Sequence, residues 1–380
     1  MSIKLVVLTE NRPHERRVAL VPQVASKLSA LGLDIWIQQD AGLASRIPDQ
    51  AYLDASATPP LQIVASLAEL LQLANIVLAV QPPAAETLKL LAPGTIVLCF
   101  VYAQREPELV KLMRDLQLTC FAMELVPRIS RAQAMDALSS QAALAGYYGA
   151  LLGATTLARI LPMMTTAVGS IRPAKCLVMG LGVAGLQALA TARRLGAVTE
   201  GYDVRPDTKE QAESLGAKFV DTGVDGRGEG GYARELTIDE QQKIQAVLTK
   251  HIQQADLIIT TAAIPGRPSP KLISKTQVDG MKNGAVIVDL AADGGGNCDY
   301  SVPGETVHIG QVTIAAPFNV PSLLAEHASE LYAKNLLNLI GLFIKDAAIN
   351  LDWDDEILAK TVLTHQGEIK NAAAKTLVEG

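Results

Sequence analysis

Gly180-Leu181-Gly182-Val183-Ala184-Gly185 has the composition and spacing of a turn that cradles a pyrophosphate. Glycine permits the tight turn at Gly180, close approach of the backbone to phosphate at Gly182, and close helix–strand packing at Gly185. A GxGxxG pattern alone is weak, because glycine is common. Its context strengthens it: Lys175–Met179 before it reads as a strand, and Gln187–Ala192 behind it is a good helix former. The helix start, Val183 included, would offer unpaired amides to the phosphates. The next strand ends in Tyr202-Asp203, followed by Val204 and Arg205. The Asp203 carboxylate is expected to take the ribose hydroxyls. A 2′-phosphate about 4 Å from it would be repelled by roughly 4 kcal/mol at an effective dielectric near 20, so NAD(H) is expected over NADP(H). Arg205 is expected to lie over the adenine face or to face solvent. A tight turn with a capped helix is the competing interpretation of these glycines.

A second constellation runs from Arg128 to Ser140. Within it Arg128, Gln133, Asp136 and Ser139 supply a donor fork, an amide, a carboxylate and a hydroxyl. The segment precedes a long uncharged run, which places it in a cleft between two domains, where dinucleotide enzymes hold the nicotinamide. A helix starting near Ser130 would set Gln133 and Asp136 on one face; a helix cap with a solvated polar face is the alternative. Glu10, Arg12, Glu15, Arg16 and Arg17 form a third cluster, expected to be a surface salt-bridge loop. Asp293 follows a strand at its carboxyl end, where α/β sheets bind ligands, and it either approaches the nicotinamide or shapes a turn.

Other chemistries find little support. The five histidines have no paired metal spacing, and neither a P-loop nor a Ser-His-Asp arrangement is present. Cys99, Cys120, Cys176 and Cys298 form no CxxC pair and read as buried free thiols. A net charge of −6 gives no reason to expect nucleic acid. The apolar run Leu5–Leu8 is too short for a signal peptide. Ala142–Ala158 is uncharged but short of a membrane span, and is expected to be a buried helix linking two domains.

The elements that must position these groups alternate along the chain. Strands are expected at Ile3–Thr9, Asp34–Gln39, Asn75–Val80, Thr95–Val101 and Thr119–Leu125, with helices at Gln23–Leu31 and Ser66–Leu73, the latter capped by Ser66. The pattern repeats with strands at Cys176–Met179, Val198–Val204, Ala217–Val220, Leu257–Thr260 and Ala285–Leu290. Helices fall at Ala184–Leu195, Thr208–Leu215 and Asp239–Gln254. An amphipathic run beyond Pro321 returns to the first domain. The fold class is therefore α/β, with two Rossmann-like, doubly wound parallel-sheet domains flanking a cleft. Residues 1–130 with 321–380 form a discontinuous first domain, and 131–320 form the NAD(H)-binding domain. A glycine-rich stretch, 221–236, is expected to be a mobile loop.

Taken together, these motifs resemble the NAD(H)-binding component, domain I, of proton-translocating NAD(P) transhydrogenase, along nearly the whole chain. The resemblance rests on Glu15–Pro22, Arg128–Ser139, Gly180–Gly185 with Asp203, Gly230–Glu235, Thr260–Gly266 and Val288–Ala291. It implies that Arg128, Gln133, Asp136 and Ser139 hold the nicotinamide and its ribose, Ile129 and Ser130 belonging to the same nucleotide set, with Gln133 facing the partner's NADP(H). Gly231, Tyr232 and Ala233 would lie on a loop closing over nucleotide, and Ala263 would line the pocket. Implied partners are an NADP(H)-binding component and membrane-spanning proton-channel subunits. A homodimer, peripheral on the cytoplasmic face of the inner membrane, is also implied. Alanine dehydrogenase is similar in both domains, and Arg17 and Asp293 fall where it has active-site residues. However, Gln81 and Tyr102 stand where it has a lysine and a histidine. Neither can readily supply a carboxylate anchor or an acid–base group. A free-standing amino-acid dehydrogenase and a non-catalytic NAD-sensing module remain the alternatives.

Overall fold

The structure, a computed structural model, describes residues 2–72, 74–228, 234–263 and 268–380. Its contacts divide the chain into Met1–Gln141 with Ser322–Gly380, and Ala142–Pro321. Residues 131–141 thus go with the first unit rather than with the second, where the sequence boundary had put them.

In the first unit β1 (Ile3–Val7), β2 (Leu33–Gln38), β3 (Gln62–Val64), β4 (Ile76–Leu78), β5 (Ile96–Cys99) and β6 (Thr119–Ala122) pair in parallel, in the order β3-β2-β1-β4-β5-β6. Alternation along β1 sends Leu5 and Val7 into one core layer and Val6 into the other. Helix starts are set locally. Ser66 Oγ accepts from the Glu69 amide, capping the helix Leu67–Leu71, and Pro22 opens the helix Pro22–Ser29.

The second unit begins with a small antiparallel pair, β7 (Met164–Thr166) and β8 (Gly169–Ile171). Its main sheet contains β9 (Lys175–Met179), β10 (Val198–Tyr202), β11 (Lys218–Phe219), β12 (Leu257–Thr260), β13 (Val286–Asp289), β14 (Thr306–Ile309) and β15 (Val312–Ala315). The order is β11-β10-β9-β12-β13-β15-β14, parallel except for β14 against β15. The helix Val183–Arg194 crosses over from β9 to β10. Both units thus share the 3-2-1-4-5 strand order of dinucleotide-binding sheets, with a switch point between the first and fourth strands. The helix Ile238–Gln254 starts from a reciprocal cap between Thr237 and Glu240.

The chain then returns through the helix Ala325–Phe343, whose Ala328, Tyr332, Leu336, Leu339, Ile340 and Phe343 enter the first unit's core. A short pair, β16 (Ile344–Lys345) and β17 (Ala348–Ile349), follows. Next β18 (Val362–His365) adds antiparallel to β6, and β19 (Glu368–Ile369) adds to β18. These additions lie beyond the amphipathic run recognised in the sequence.

The uncharged run forms the helix Ala137–Thr156, and most of its residues are half-buried instead of buried. Gly149 and Gly153 face the Leu290 and Leu257 side chains, and a Cβ at Gly146 would overlap the Ala184 carbonyl. Small residues three and four apart let this helix lie close against the second sheet, which accounts for its glycine content without a membrane. Among the described residues, no helix is long and apolar enough to cross a bilayer.

Candidate functional site

The dinucleotide turn is built as its glycines require. Gly180 has φ +94°, a left-handed conformation that favours glycine, and a Cβ there would press on the Ala262 amide and the Thr261 hydroxyl. A Cβ at Gly185 would overlap the Gly180 carbonyl oxygen. Gly182 differs: nothing lies within 4 Å of the position its Cβ would take. It is the N-cap of the helix Val183–Arg194, with no side-chain cap, so the first-turn amides face open space beside an exposed Val183. This cradle fits a pyrophosphate, which would fill the space and accept from those amides.

Asp203 follows β10, almost fully buried, and holds the turn from the other side. Its Oδ2 accepts from the Leu181 amide at 2.7 Å. Arg205 wraps the same carboxylate, donating from its amide at 2.9 Å, from Nε at 2.8 Å and from Nη2 at 2.7 Å. Arg205 is thus ion-paired with Asp203 and not turned to solvent. Four donors match the four lone-pair directions of a carboxylate, so a further donor would reach Asp203 by displacing the guanidinium. Val204 neighbours the glycine-rich stretch, its carbonyl accepting from the Gly226 amide at 2.7 Å.

Within that stretch Gly231, Tyr232 and Ala233 lie outside the described residues. Its flanks are tied: the Arg234 amide donates to the Gly226 carbonyl at 2.9 Å, and the Arg234 guanidinium pairs with Glu240 at 2.7 Å. Ala263 is exposed, just past β12 at the carboxyl end of the sheet. Asp293 is also exposed, in a 3-10 turn after β13, and accepts from the Asn319 amide at 3.4 Å.

In the first unit the Arg128–Ser139 segment takes a different local form from the expected one. Ser130–Met135 is a 3-10 turn, and the α-helix starts at Ala137. Asp136 therefore precedes the helix and caps it, accepting from the Ser139 amide at 2.8 Å and the Ser139 hydroxyl at 2.6 Å. Asp136 and Ser139 are brought together; Gln133 is not on a helix face with Asp136. Ala132 and Met135 anchor the turn in the core, leaving Arg128, Ser130 and Gln133 exposed and Ile129 half-buried. Asn335, unremarked in the sequence, donates to the Ala134 carbonyl at 2.9 Å and accepts from Ser140 at 2.8 Å. An asparagine in an amphipathic helix gives no signal of that role.

The Glu10–Arg17 cluster is a surface salt-bridge loop only in part: Arg16 is exposed and Arg12 pairs with Glu106 at 2.9 Å near the surface, but Glu15 and Arg17 are buried. Arg17 is 4% exposed, and its Nη2 lies 2.6 Å from Glu15 Oε2. Glu15 also accepts from Arg17 Nε at 2.8 Å and from Gln81 Nε2 at 2.8 Å, while Arg17 Nη1 donates to Gln141 at 2.9 Å. Burial would raise the Glu15 pKa, but the hydrogen bonds and charge of Arg17, with Gln81, hold it down at about 2. Glu10 lies beside this pair and accepts from the Val80 and Gln81 amides at the end of β4. Burial of its carboxyl outweighs those amides and pushes it up to about 8. Gln81 thus has an internal partner, and Tyr102 stacks on Phe100 with ring centroids 5.6 Å apart. Near the first sheet's switch point, Thr9, Glu10, Gln38 and Gln81 line a cavity of about 180 Å³.

Comparison with known proteins divides the chain near the same first boundary as the two units, while the second match runs on into the returning segment of the first unit. Residues 6–145 match the alanine dehydrogenase/PNT N-terminal domain, and residues 149–372 match its C-terminal domain. An NAD(P) transhydrogenase subunit alpha polypeptide of Rhodospirillum rubrum is 42% identical, over 98% of each chain. The crystal structure of transhydrogenase from Sinorhizobium meliloti is 40% identical with a TM-score of 0.85, covering 97% of this chain and 99% of that one. An L-alanine dehydrogenase shares the fold at 22% identity and a TM-score of 0.81, over 99% of each chain.

Proposed function

The chain belongs to the alanine dehydrogenase/PNT family, and we propose that it is the NAD(H)-binding component of a proton-translocating NAD(P) transhydrogenase. When bound, NADH supplies a hydride from C4 of its nicotinamide directly to an NADP⁺ carried by a partner subunit. Such a transfer needs no general acid or base, only two rings held at a near-attack distance of about 3–3.5 Å. Gly180–Gly185 and the amides from Val183 onward hold the pyrophosphate, and Asp203 holds the ribose. Arg128, Ile129, Ser130, Gln133, Asp136 and Ser139 orient the nicotinamide half, with Gln133 toward the partner. Gly231, Tyr232 and Ala263 complete the nucleotide contacts.

The observation that carries this reading over an amino-acid dehydrogenase is the internal pairing of Arg17. A substrate carboxylate would have to displace Glu15 from a buried ion pair, and removing one partner from such a pair costs about 3–5 kcal/mol. Gln81 brings no cation to replace it.

The remaining assignments follow from the same reading. An NADP(H)-binding component and membrane-spanning subunits complete the enzyme, and this chain sits peripherally on the cytoplasmic face of the inner membrane through them. Self-association into a homodimer is supported by β7 and β8, where Met163, Met164, Val168 and Ile171 are exposed. Purified protein should bind NADH and reduce NADP⁺ only after a transhydrogenase NADP(H)-binding component is added. Alanine- or pyruvate-dependent turnover by the chain alone refutes the assignment.

A further inference from the structure

Beside the nucleotide turn, one fully buried side chain makes none of the contacts assigned to the nucleotide. Asn297 follows the 3-10 turn behind β13 and is 0% exposed. Its Oδ1 accepts from the Ala262 amide at 3.0 Å, and its Nδ2 donates to the Ala262 carbonyl at 2.8 Å. The same Nδ2 donates to the Pro270 carbonyl at 2.8 Å. One amide side chain therefore ties Ala262, which follows β12, to Pro270. Its own carbonyl accepts from the Leu272 and Ile273 amides, at 2.7 and 3.1 Å, extending the tie beyond Pro270.

Asn297 is itself fixed from below. Asp289, at the end of β13 and 0% exposed, accepts from the Asn297 amide at 2.7 Å and the Cys298 amide at 3.1 Å. The Ser301 and Thr260 hydroxyls reach the same carboxylate at 2.6 and 3.0 Å. Thr261, next to Ala262, in turn meets the dinucleotide turn: its amide donates to the Met179 carbonyl at 2.9 Å, and its hydroxyl to the Gly180 carbonyl at 2.8 Å. A continuous hydrogen-bonded chain thus runs from Asp289 through Asn297 and Ala262–Thr261 to Gly180. Low dielectric makes each link sensitive to loss of the next.

We propose that Asn297 is a positioning residue for NAD(H), tying Ala262 to Pro270 so that Ala262, Ala263 and the Gly180 turn face the nucleotide in one fixed geometry. The proposal rests on the reading that this unit binds NAD(H). Truncation at Asn297 leaves the Ala262 and Pro270 groups without that partner and frees Ala262 and Ala263 to sample other positions. Affinity then falls by the fraction of molecules still in the binding geometry.

The test measures NADH affinity by fluorescence titration, together with Tm, in the full chain. Asn297→Ala should weaken NADH binding at least tenfold. Gln277→Ala removes another buried amide of the same unit, one that joins Gln245 and Thr249 away from the turn. It should lower Tm to a similar extent and leave NADH affinity within twofold. Wild-type affinity in Asn297→Ala, or equal affinity losses in the two variants, overturns the proposal. If Asn297→Ala does not fold, hydrogen exchange on the unmodified protein decides. The Ala262 amide must exchange as slowly as the amides of β12, and fast exchange there overturns the clamp. Failure of the unmodified protein to bind NADH would instead remove the underlying nucleotide reading, and the clamp with it.

Discussion

Replacing Asp203 by Asn tests the proposal that charge at this position selects between two cofactors. The carboxylate is nearly buried and ion-paired with Arg205 at 2.7 Å, the guanidinium side chain being 21% exposed. A 2′-phosphate about 4 Å from Asp203 meets roughly 4 kcal/mol of repulsion per unit charge at an effective dielectric of 20. The bound guanidinium cancels about half of that, leaving roughly 2 kcal/mol, or about thirtyfold in affinity. Asp203→Asn removes the repulsion and releases Arg205 toward the phosphate. NADH should bind more weakly, because the ribose loses a charged acceptor worth about 1.5–3 kcal/mol. The lifted repulsion alone should raise NADPH affinity relative to NADH by about thirtyfold, and the weaker NADH binding adds to that ratio. Parallel titrations with both nucleotides at roughly 0.1 M ionic strength, where screening is moderate, give the ratio. An unchanged ratio would refute the reasoning, since it would mean that the Asp203 charge does not face the 2′ position.

Three further outcomes follow from the geometry. Gly182→Ala should fold with Tm near the unmodified value, its Cβ entering open space, yet lose NADH affinity tenfold or more; Gly185→Ala, whose Cβ meets the Gly180 carbonyl, should destabilise by about 1–3 kcal/mol in denaturant titration. In Gln133→Asn, stopped-flow hydride transfer to partner-bound NADP⁺ should slow far more than NADH binding weakens, because the exposed Gln133 serves position; unaltered transfer removes it from the site. Glu10 and Glu15 should oppose each other in pH-dependent stability. The depressed pKa of Glu15, about 2, contributes stability that is present above about pH 4.5 and lost as pH falls toward 2. The raised pKa of Glu10, about 8, means that the folded state binds the extra proton between about pH 4.5 and 8. Stability from that group therefore declines as pH rises through this window. Urea titrations of Glu10→Gln should show a smaller decline between pH 6 and pH 8, and an identical slope would contradict the assignment.

Local grammar made the second unit legible. Gly180, Gly182 and Gly185 state their roles in sequence because backbone conformation and Cβ clearance depend on a few neighbouring residues, and the flanking strand and helix follow from short-range periodicity. Asp203 was placed by its register at the end of β10, and the Ser66 cap by its neighbours. Groups whose role depends on distant partners were not legible. Nothing local distinguishes Glu15 and Arg17 from a solvated charge cluster; Gln81, Gln141 and the burial around them decide it. Arg205 illustrates the same limit at short range, since its choice of Asp203 over solvent depends on how β10 ends. The pattern from Arg128 to Ser139 announced polar groups, but the 3-10 turn comes from Ala132 and Met135 anchoring in a core assembled from remote segments.

What the sequence by itself determined is the alternation that builds two parallel sheets and the glycine turn between β9 and its helix. Both arise from forces acting within a few residues. Tertiary structure alone decided which charges are buried and paired, and that Asn297 joins Ala262 to Pro270. Burial and hydrogen bonding between segments tens to hundreds of residues apart are properties of the folded interior, where a low dielectric turns a polar residue of ordinary appearance into a fixed structural link.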